Sequence, residues 1–239
     1  VPPRAGVVSD DDDNSTPHNH AKQQQTENNN NNRNNNKATA TPTSAAKTKR
    51  SSASSSHDDT IGHFNGREGY GIADRYKIIQ EVGVGTVGRV LECLDLKKRR
   101  DRRDNVVAIK IVRNVKRYYE SALIEADIVE EVNRRGGRGV SHCAVMFDSF
   151  SFSGHYCMVF EKLGPSLYDF LKRQKYRPFP LMVVRDFAKQ LLETLEFLHS
   201  FRLIHTDLKP ENVLLMNGRE VSYKGHSIPE CTRIKVIDF

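Results

Sequence analysis

The sequence predicts an α+β fold in two lobes, an N-terminal lobe built on an antiparallel sheet with one main helix and a mainly helical C-terminal lobe. Two strand-like runs, residues 76–82 and 91–94, flank a glycine-rich turn as in a β-hairpin. A third apolar run at 106–112 precedes an amphipathic helical pattern, and a longer helical pattern spans 184–198. Strands first and helices afterwards are typical of segregated α+β architectures.

The first 74 residues are predicted to be a disordered tail. Asn, Gln, Ser, Thr and Asp dominate this stretch, with an Asn-rich run at 28–36 and a Ser-rich run at 51–56. Such a composition buries too little apolar surface to offset the entropy lost on ordering. From residue 76 to residue 239 apolar residues recur regularly, so we expect the folded domain there.

The basic excess of the chain lies entirely in the folded part. The formal net charge is +7, and the first 75 residues hold nine basic and nine acidic side chains. The densest basic run, Lys97 to Arg103, is either a nucleic-acid or import patch or a solvated loop between two strands. We favour the loop and expect no direct nucleic-acid binding, because no aromatic residues are interleaved with the run to stack on bases.

The cysteines and the hydropathy pattern indicate an intracellular protein. Cys93, Cys143, Cys157 and Cys231 are widely spaced and match no zinc or redox motif, which fits a reducing compartment. No apolar run is long enough to cross a bilayer, and the N-terminus lacks a secretory pattern. We therefore expect no membrane association.

Residues 83–88 form a turn with glycine at positions 83, 85 and 88. Glycine lets the backbone approach phosphate oxygens without obstruction by side chains. Three spaced glycines often make only a turn, and a dinucleotide-binding motif would require a helix to follow. Here a second strand-like run follows, which favours a hairpin that covers phosphates.

Lys110 lies in the middle of the apolar run 106–112, where an unpaired ammonium would be costly. The next segment places Glu125 as the odd carboxylate on an apolar helical stripe. A pair between Lys110 and Glu125 would satisfy both groups and aim the lysine at nucleotide phosphates. The alternative is that Lys110 snorkels, with its aliphatic part buried and its ammonium in solvent, and that Glu125 lies at the edge of the apolar stripe.

A break between two lobes is predicted at residues 161–164, directly after the strand-like run 156–160. Ser166 followed by Asp169 indicates the start of a helix. The longer helix that follows has a broad apolar face, which we assign to the core. That face comprises Val184, Phe187, Ala188, Leu191, Leu192, Leu195 and Leu198.

A polar loop between apolar runs carries Asp207, Lys209 and Asn212. Phosphoryl transfer uses these three groups, because a carboxylate accepts the proton of the attacking hydroxyl, an ammonium offsets phosphate charge and an amide oxygen holds magnesium. Asp238 follows the strand-like run 234–237, at a position where a carboxylate can hold magnesium between phosphates.

Taken in this order, the elements are the signature of protein kinases, and residues 76–239 resemble that family throughout. Within it the sequence is most similar to the LAMMER, or CDC-like, dual-specificity kinases, with a plant-like character. The residues that carry this resemblance are Glu92-Cys93, Lys110 to Val115 with Arg117-Tyr118, Phe160 to Ser166, and His205-Thr206-Asp207 in place of the commoner His-Arg-Asp.

The resemblance implies the bilobal protein-kinase fold, ATP and Mg²⁺ as cofactors, and a role for each matching residue. The catalytic set is Asp207 as base, Lys209 as its helper, and Lys110 held by Glu125, with Asn212 and Asp238 as metal ligands. The nucleotide site is Val82, Gly83, Val84, Gly85, Thr86, Val87, Gly88, Val90, Ala108, Lys110, Phe160, Glu161, Leu163 and Leu215.

Within the nucleotide site, the resemblance places Phe160 as gatekeeper behind the adenine. The backbones of Glu161 and Leu163 would bond the adenine, and Leu215 would lie below it. Val82 and Val90 would cover the ring from above, with Ala108 beside them.

Two positions depart from the commoner kinase pattern. Val87 stands where many kinases have an aromatic tip in the glycine loop, which weakens closure over the phosphates. Thr206 replaces the arginine that commonly pairs with an activation-loop phosphate, so we expect activity without that switch.

Three functions remain open at this point. The first is an active kinase for Ser and Thr, with Tyr left open as a further acceptor, acting as a monomer on protein substrates. The resemblance implies Arg/Ser-rich splicing factors in the nucleus, with the cytoplasm as a second location. The others are a nucleotide-binding pseudokinase or scaffold and a basic RNA-associated module. Because the chain begins with Val and ends within a motif, we expect a fragment that is itself inactive.

Overall fold

The computed structural model describes residues 61–98 and 105–239. The predicted tail up to residue 60 and the basic run from residue 99 to residue 103 lie outside the described residues, so the interpretation of both stays a prediction. One strand ends at Asp95 and the next begins at Val106, so the position of the basic run between two strands in the sequence is confirmed.

The described residues contain ten strands and three helices. The strands are β1 (Gly71–Ile72), β2 (Tyr76–Val84), β3 (Gly88–Asp95), β4 (Val106–Val112), β5 (Met146–Phe152), β6 (His155–Glu161), β7 (Val213–Leu215), β8 (Glu220–Tyr223), β9 (His226–Pro229) and β10 (Ile234–Val236). The helices are α1 (Lys116–Val140), α2 (Leu167–Arg173) and α3 (Leu181–Ser200), and a 3-10 turn spans Pro210–Asn212.

The upper lobe is a six-stranded antiparallel sheet with the order β1-β2-β3-β4-β6-β5. Alternating residues of its strands form one apolar core, as period-two patterning requires. That core comprises Phe64, Ile72, Tyr76, Ile78, Leu91, Cys93, Val107, Ile109, Ile111, Cys157 and Val159. Helix α1 packs on the other face through Ala122 and Ala126 against Met158. The predicted sheet with one main helix is thereby confirmed.

The predicted end of the tail at residue 74 is wrong. Phe64 is 1% exposed and Ile72 is fully buried, and both belong to the core of the upper sheet. Strand β1 pairs with the start of β2. The polar composition of the stretch hid these two apolar anchors, whose burial adds to the core of the upper sheet.

An arginine fork ties three strands together at one end of the sheet. Arg75 donates to Asp95 through Nε (3.0 Å) and Nη2 (2.9 Å) and to Asp148 through Nη1 (2.9 Å). Burial alone would raise the pKa of Asp95, whose side chain is 1% exposed, but the guanidinium and the Lys97 N–H outweigh it and lower that pKa. The fork therefore compensates a buried carboxylate.

The lower lobe packs α2 and α3 against two short sheets. Strand β7 pairs with β10, and β8 pairs with β9 in a hairpin that the sequence patterns did not predict. Ser166 caps α2 as predicted, since its Oγ accepts from the Asp169 N–H at 3.0 Å. No helix in the described part of the chain is long and apolar enough to cross a membrane.

The predicted apolar face of α3 is partly wrong. Val184 and Leu192 are 44% and 67% exposed, and Ala188 is exposed as well, whereas Phe187 and Leu198 are buried as predicted. The buried stripe of α3 is rotated about the helix axis relative to the predicted one, because Gln190 faces β10. Its Oε1 accepts from Ile234 N and its Nε2 donates to Thr232 O. The stripe accordingly includes Val183 and Thr194.

Candidate functional site

The glycine-rich turn joins β2 to β3 as predicted, closed by a hydrogen bond of 2.9 Å from Gly85 N to Gly88 O. Its glycines have different tasks. A Cβ on Gly88 would lie 2.2 Å from the Ile111 carbonyl oxygen of β4, so this glycine is required by close packing of the strands. A Cβ on Gly83 would have 3.9 Å to its nearest neighbour and one on Gly85 would meet nothing within 4 Å, which leaves open space for phosphates.

Lys110 forms the predicted pair with Glu125, and a second carboxylate completes the site. Its Nζ lies 2.6 Å from Glu125 Oε1 and 3.0 Å from Asp238 Oδ1. Burial alone would lower the pKa of Lys110, but the carboxylates of Asp238 and Glu125 outweigh it and raise that pKa. The ammonium stays charged and joins β4, α1 and the segment after β10 at one point.

Strand β6 leads out of the upper sheet into the connection between the lobes. Phe160 pairs with Ala108 of β4 and packs against the cluster between the sheet and α1, the position expected of a gatekeeper. In the described residues, the Leu163 N–H donates to no acceptor, so it is available to adenine. The break predicted at 161–164 therefore begins at the end of β6 and leaves a backbone N–H for a ligand.

A buried lysine that sequence reasoning missed holds the start of this hinge. Lys235, in β10, has its Nζ 2.9 Å from Cys143 O and 3.2 Å from Glu161 Oε1. Glu161 Oε1 also accepts from Val145 N at 2.9 Å. A charged residue within an apolar strand, the same anomaly as at Lys110, is the signal that could have revealed it.

Leu215 does not form the floor of the adenine site, contrary to the prediction. It is fully buried in the lower core with Val213 and Phe170. Side chains alternate along a strand, so Leu214, which is half-buried, points to the opposite face of β7. We assign the floor to Leu214. The apolar residues Val82, Val84, Val87, Val90 and Ala108 keep partial or full exposure, as an open cleft requires.

The catalytic loop brings its three predicted polar groups together. Lys209 Nζ donates to Asp207 Oδ2 at 2.6 Å, and Asn212 Nδ2 donates to Asp207 O at 3.0 Å and to its Oδ2 at 3.3 Å. The hydrogen bond from Lys209 is the main reason that the pKa of Asp207 is lowered. Asp207 is therefore a carboxylate, 61% exposed, and accessible to an incoming hydroxyl.

Two residues of the site, one directly before Asp207 and one after β10, have their backbone in the left-handed region. Thr206 has φ 62° and Asp238 has φ 60°, and neither is glycine. His205 Nε2 donates to Ile237 O at 3.0 Å, and the His205 ring lies 5.4 Å from that of Phe239. Phe239 also packs on the cluster that includes Val132 of α1. These contacts hold the backbone next to Thr206 and Asp238 in place. Residues held in such sparsely populated conformations are often found at functional sites.

The donor set fits a magnesium ion held together with nucleotide phosphates. Asn212 uses its Nδ2 for Asp207, which leaves its Oδ1 as a ligand, and Asp238 is 47% exposed. Mg²⁺ takes oxygen ligands and uses few protein carboxylates where phosphates supply the rest. No cluster of three or more His, Cys, Asp or Glu suited to a metal occurs in residues 61–98 and 105–239, so the protein ligands do not form a closed cage.

Comparison with known proteins agrees with this geometry. A family model described as the protein kinase domain matches residues 76–239. The serine/threonine-protein kinase AFC3 of Arabidopsis thaliana is 44% identical over 193 residues, covering 76% of this chain and 47% of that protein. The dual specificity protein kinase CLK2 of Homo sapiens is 39% identical over 188 residues, covering 76% and 37%.

A crystal structure of a kinase domain is similar with a TM-score of 0.66 and 33% identity, covering 75% of this chain and 55% of that one. The chain spans less than half the length of the two curated relatives. The resemblance to LAMMER, or CDC-like, kinases is confirmed by these relatives. The chain belongs to the protein kinase domain family.

Proposed function

We propose that the protein transfers the γ-phosphoryl group of ATP to Ser and Thr hydroxyls of proteins, and to Tyr hydroxyls as well. The observation that carries the proposal is the position of Lys110, whose ammonium contacts both Glu125 and Asp238. This contact requires the glycine-loop sheet, α1 and the metal-binding segment to be assembled around one charge. Such an arrangement is the one in which kinases bind nucleotide phosphates productively.

Each catalytic group then has a task. Asp207 accepts the proton of the attacking hydroxyl, because its lowered pKa keeps it ionised at neutral pH. Lys209, 2.6 Å from that carboxylate, offsets the charge on the transferring phosphoryl group. Asn212 and Asp238 would hold magnesium, which neutralises charge on the β- and γ-phosphates when bound. Lys110 orients the α- and β-phosphates.

The presence of every one of these groups argues against a pseudokinase, which usually lacks a base, a lysine or a metal ligand. The substrates we propose are Arg/Ser-rich splicing factors, in the nucleus, because the LAMMER resemblance points to them. The positive charge of residues 76–239 would repel Arg-rich segments. Docking of such substrates would therefore need an acidic surface outside the residues described.

The experiment measures transfer of labelled γ-phosphate from ATP by the full-length protein to a Ser/Arg-rich peptide and to a Ser-containing acidic peptide. Phosphoamino-acid analysis then reports whether Ser, Thr or Tyr is modified. We expect magnesium-dependent transfer to the Ser/Arg-rich peptide that a Lys110→Met variant lacks. Equal transfer by that variant would refute the assignment, and preference for the acidic peptide would refute the substrate class alone.

A further inference from the structure

The glycine-rich turn is held from outside by residues 61–64, which precede the range 76–239 that the family model matches and which we call the strap. Its anchor is Phe64, which is 1% exposed and packs edge-on against Phe152 and His155 with ring centroids at 6.1 and 5.5 Å. Gly66 follows, where a Cβ would lie 2.3 Å from the Phe64 ring. The strap is thereby fixed to the upper sheet.

Arg113, directly after β4, joins the strap to the turn. Its Nε and Nη2 both donate to the Ile61 carbonyl, at 2.9 Å from Nε, and its Nη1 donates to the Thr86 carbonyl at 3.1 Å. Its backbone N–H donates to the Val87 carbonyl at 2.9 Å. One half-buried guanidinium therefore bridges a carbonyl of the strap and a carbonyl within the turn.

Two further contacts strengthen the connection. Arg89 of β3 donates to the Phe64 carbonyl and forms an ion pair with Glu81 of β2, across the hairpin that carries the turn. Asn114 N donates to the Gly62 carbonyl at 2.8 Å. The strap is thus joined to the tip of the hairpin through Arg113, and it contacts β3 directly through the hydrogen bond from Arg89.

We propose that the strap is a positioning element for ATP binding, which acts through Arg113 to hold the glycine-rich turn in place for the phosphates. Hairpin tips are among the segments that open at low free-energy cost, and a tip that must be ordered by its ligand binds more weakly. A tip already held by a guanidinium is pre-organised. This inference rests on the proposed function, and Arg113 is a positioning residue because it contacts the turn.

The first test compares Arg113→Ala with Arg117→Ala in the full-length protein. Both arginines stack on the Tyr118 ring, at 5.4 and 4.6 Å from its centroid, but among their hydrogen bonds only those of Arg113 reach Ile61 and Thr86. We expect Arg113→Ala to raise KM and Kd for ATP about 3- to 10-fold, the loss of one to two modest hydrogen bonds, with kcat changed less than about 2-fold. Arg117→Ala should match the wild type.

The second test displaces the strap and leaves Arg113 in place. Gly62 has φ +81° and its Cβ would lie 3.3 Å from the Asn114 carbonyl oxygen, so Gly62→Ala should shift the strap. Gly69→Ala is the matched control, because φ is +82° there and the nearest atom is 4.0 Å away. We expect Gly62→Ala to reproduce the rise in KM of Arg113→Ala, and the double variant to be no worse than either single variant.

Hydrogen exchange of residues 83–88 in the nucleotide-free protein separates this inference from the proposed function, because it needs no phosphotransfer. Arg113→Ala and Gly62→Ala should each speed exchange in this segment, with the thermal midpoint reported alongside. Faster exchange in the two variants, together with no phosphotransfer by the wild type, would support the role of the strap in holding the turn and would refute the assignment as a kinase. Unchanged exchange with an unchanged Kd for ATP would refute the proposal that the strap positions the turn through Arg113. Additive effects of the two variants on KM would refute it as well.

Discussion

Replacing Glu125 with Gln should weaken catalysis by displacing Lys110. In the structure the ammonium has two carboxylate partners, Glu125 at 2.6 Å and Asp238 at 3.0 Å, and its side chain is 19% exposed. Breaking a buried ion pair costs about 3–5 kcal/mol, but the second carboxylate remains and the side chains of the pair are each 19% exposed. We therefore expect a loss of about 1.5–2.5 kcal/mol in transition-state stabilisation, which is about 10- to 100-fold in kcat/KM.

A double-mutant cycle in the full-length protein tests this reasoning. Lys110→Met should lower kcat/KM by at least about 1000-fold, and adding Glu125→Gln to it should cost little more, because no ammonium remains to be positioned. Glu130→Gln, a change at an exposed position of the same helix, is the control. The assay is single-turnover phosphotransfer at saturating and subsaturating ATP. Equal effects of Glu125→Gln with and without Lys110 would refute the positioning role.

Three further outcomes are expected. Arg75→Ala should lower the free energy of unfolding by about 3–5 kcal/mol in urea titrations, because it leaves the buried Asp95 carboxylate without its ion-pair partner and with only the Lys97 N–H as a donor. This difference should shrink as the pH falls below the ordinary Asp pKa of 3.8 and through the lowered pKa of Asp95. Leu214→Ala should weaken nucleotide binding at near-normal thermal stability, whereas Leu215→Ala should lower the thermal midpoint. The reverse pattern would indicate that Leu215 forms the floor of the adenine site. Because the pKa of Asp207 is lowered, protonation of this carboxylate should not reduce kcat/KM between about pH 5 and 8. A fall in kcat/KM toward acid pH within that range, if it disappears when Asp207 is replaced, would show that Asp207 is not ionised throughout it.

Residues with a chemical conflict in the sequence were the most predictable. Lys110 within an apolar strand and Glu125 on an apolar stripe each needed a partner, and the structure pairs them at 2.6 Å. The same reasoning applied to Lys235 would have found its contact with Glu161. Charges in apolar surroundings restrict the possible partners strongly, because leaving them unpaired is so costly.

Features that depend on neighbouring elements were less predictable. Helix α3 carries apolar residues on adjacent stripes, so periodicity could not choose the rotation that the hydrogen bonds of Gln190 with β10 select. The prediction of Leu215 as the floor is wrong because side chains alternate along β7, which places Leu215 in the lower core and Leu214 on the opposite face. The β8–β9 hairpin did have a signal, Lys224-Gly225, both of which have positive φ as a tight hairpin turn requires.

The most direct test of the central claim is to measure ATP affinity and phosphotransfer together for Asp207→Asn in the full-length protein. Asn has nearly the same shape and its Oδ1 can still accept from Lys209 and Asn212, so the loss is that of the proton acceptor and its negative charge. We predict Kd for ATP with magnesium within about 3-fold of the wild type, and phosphotransfer reduced about 100- to 10,000-fold. Near-normal transfer by this variant would contradict the account, because Asp207 would then not be the base.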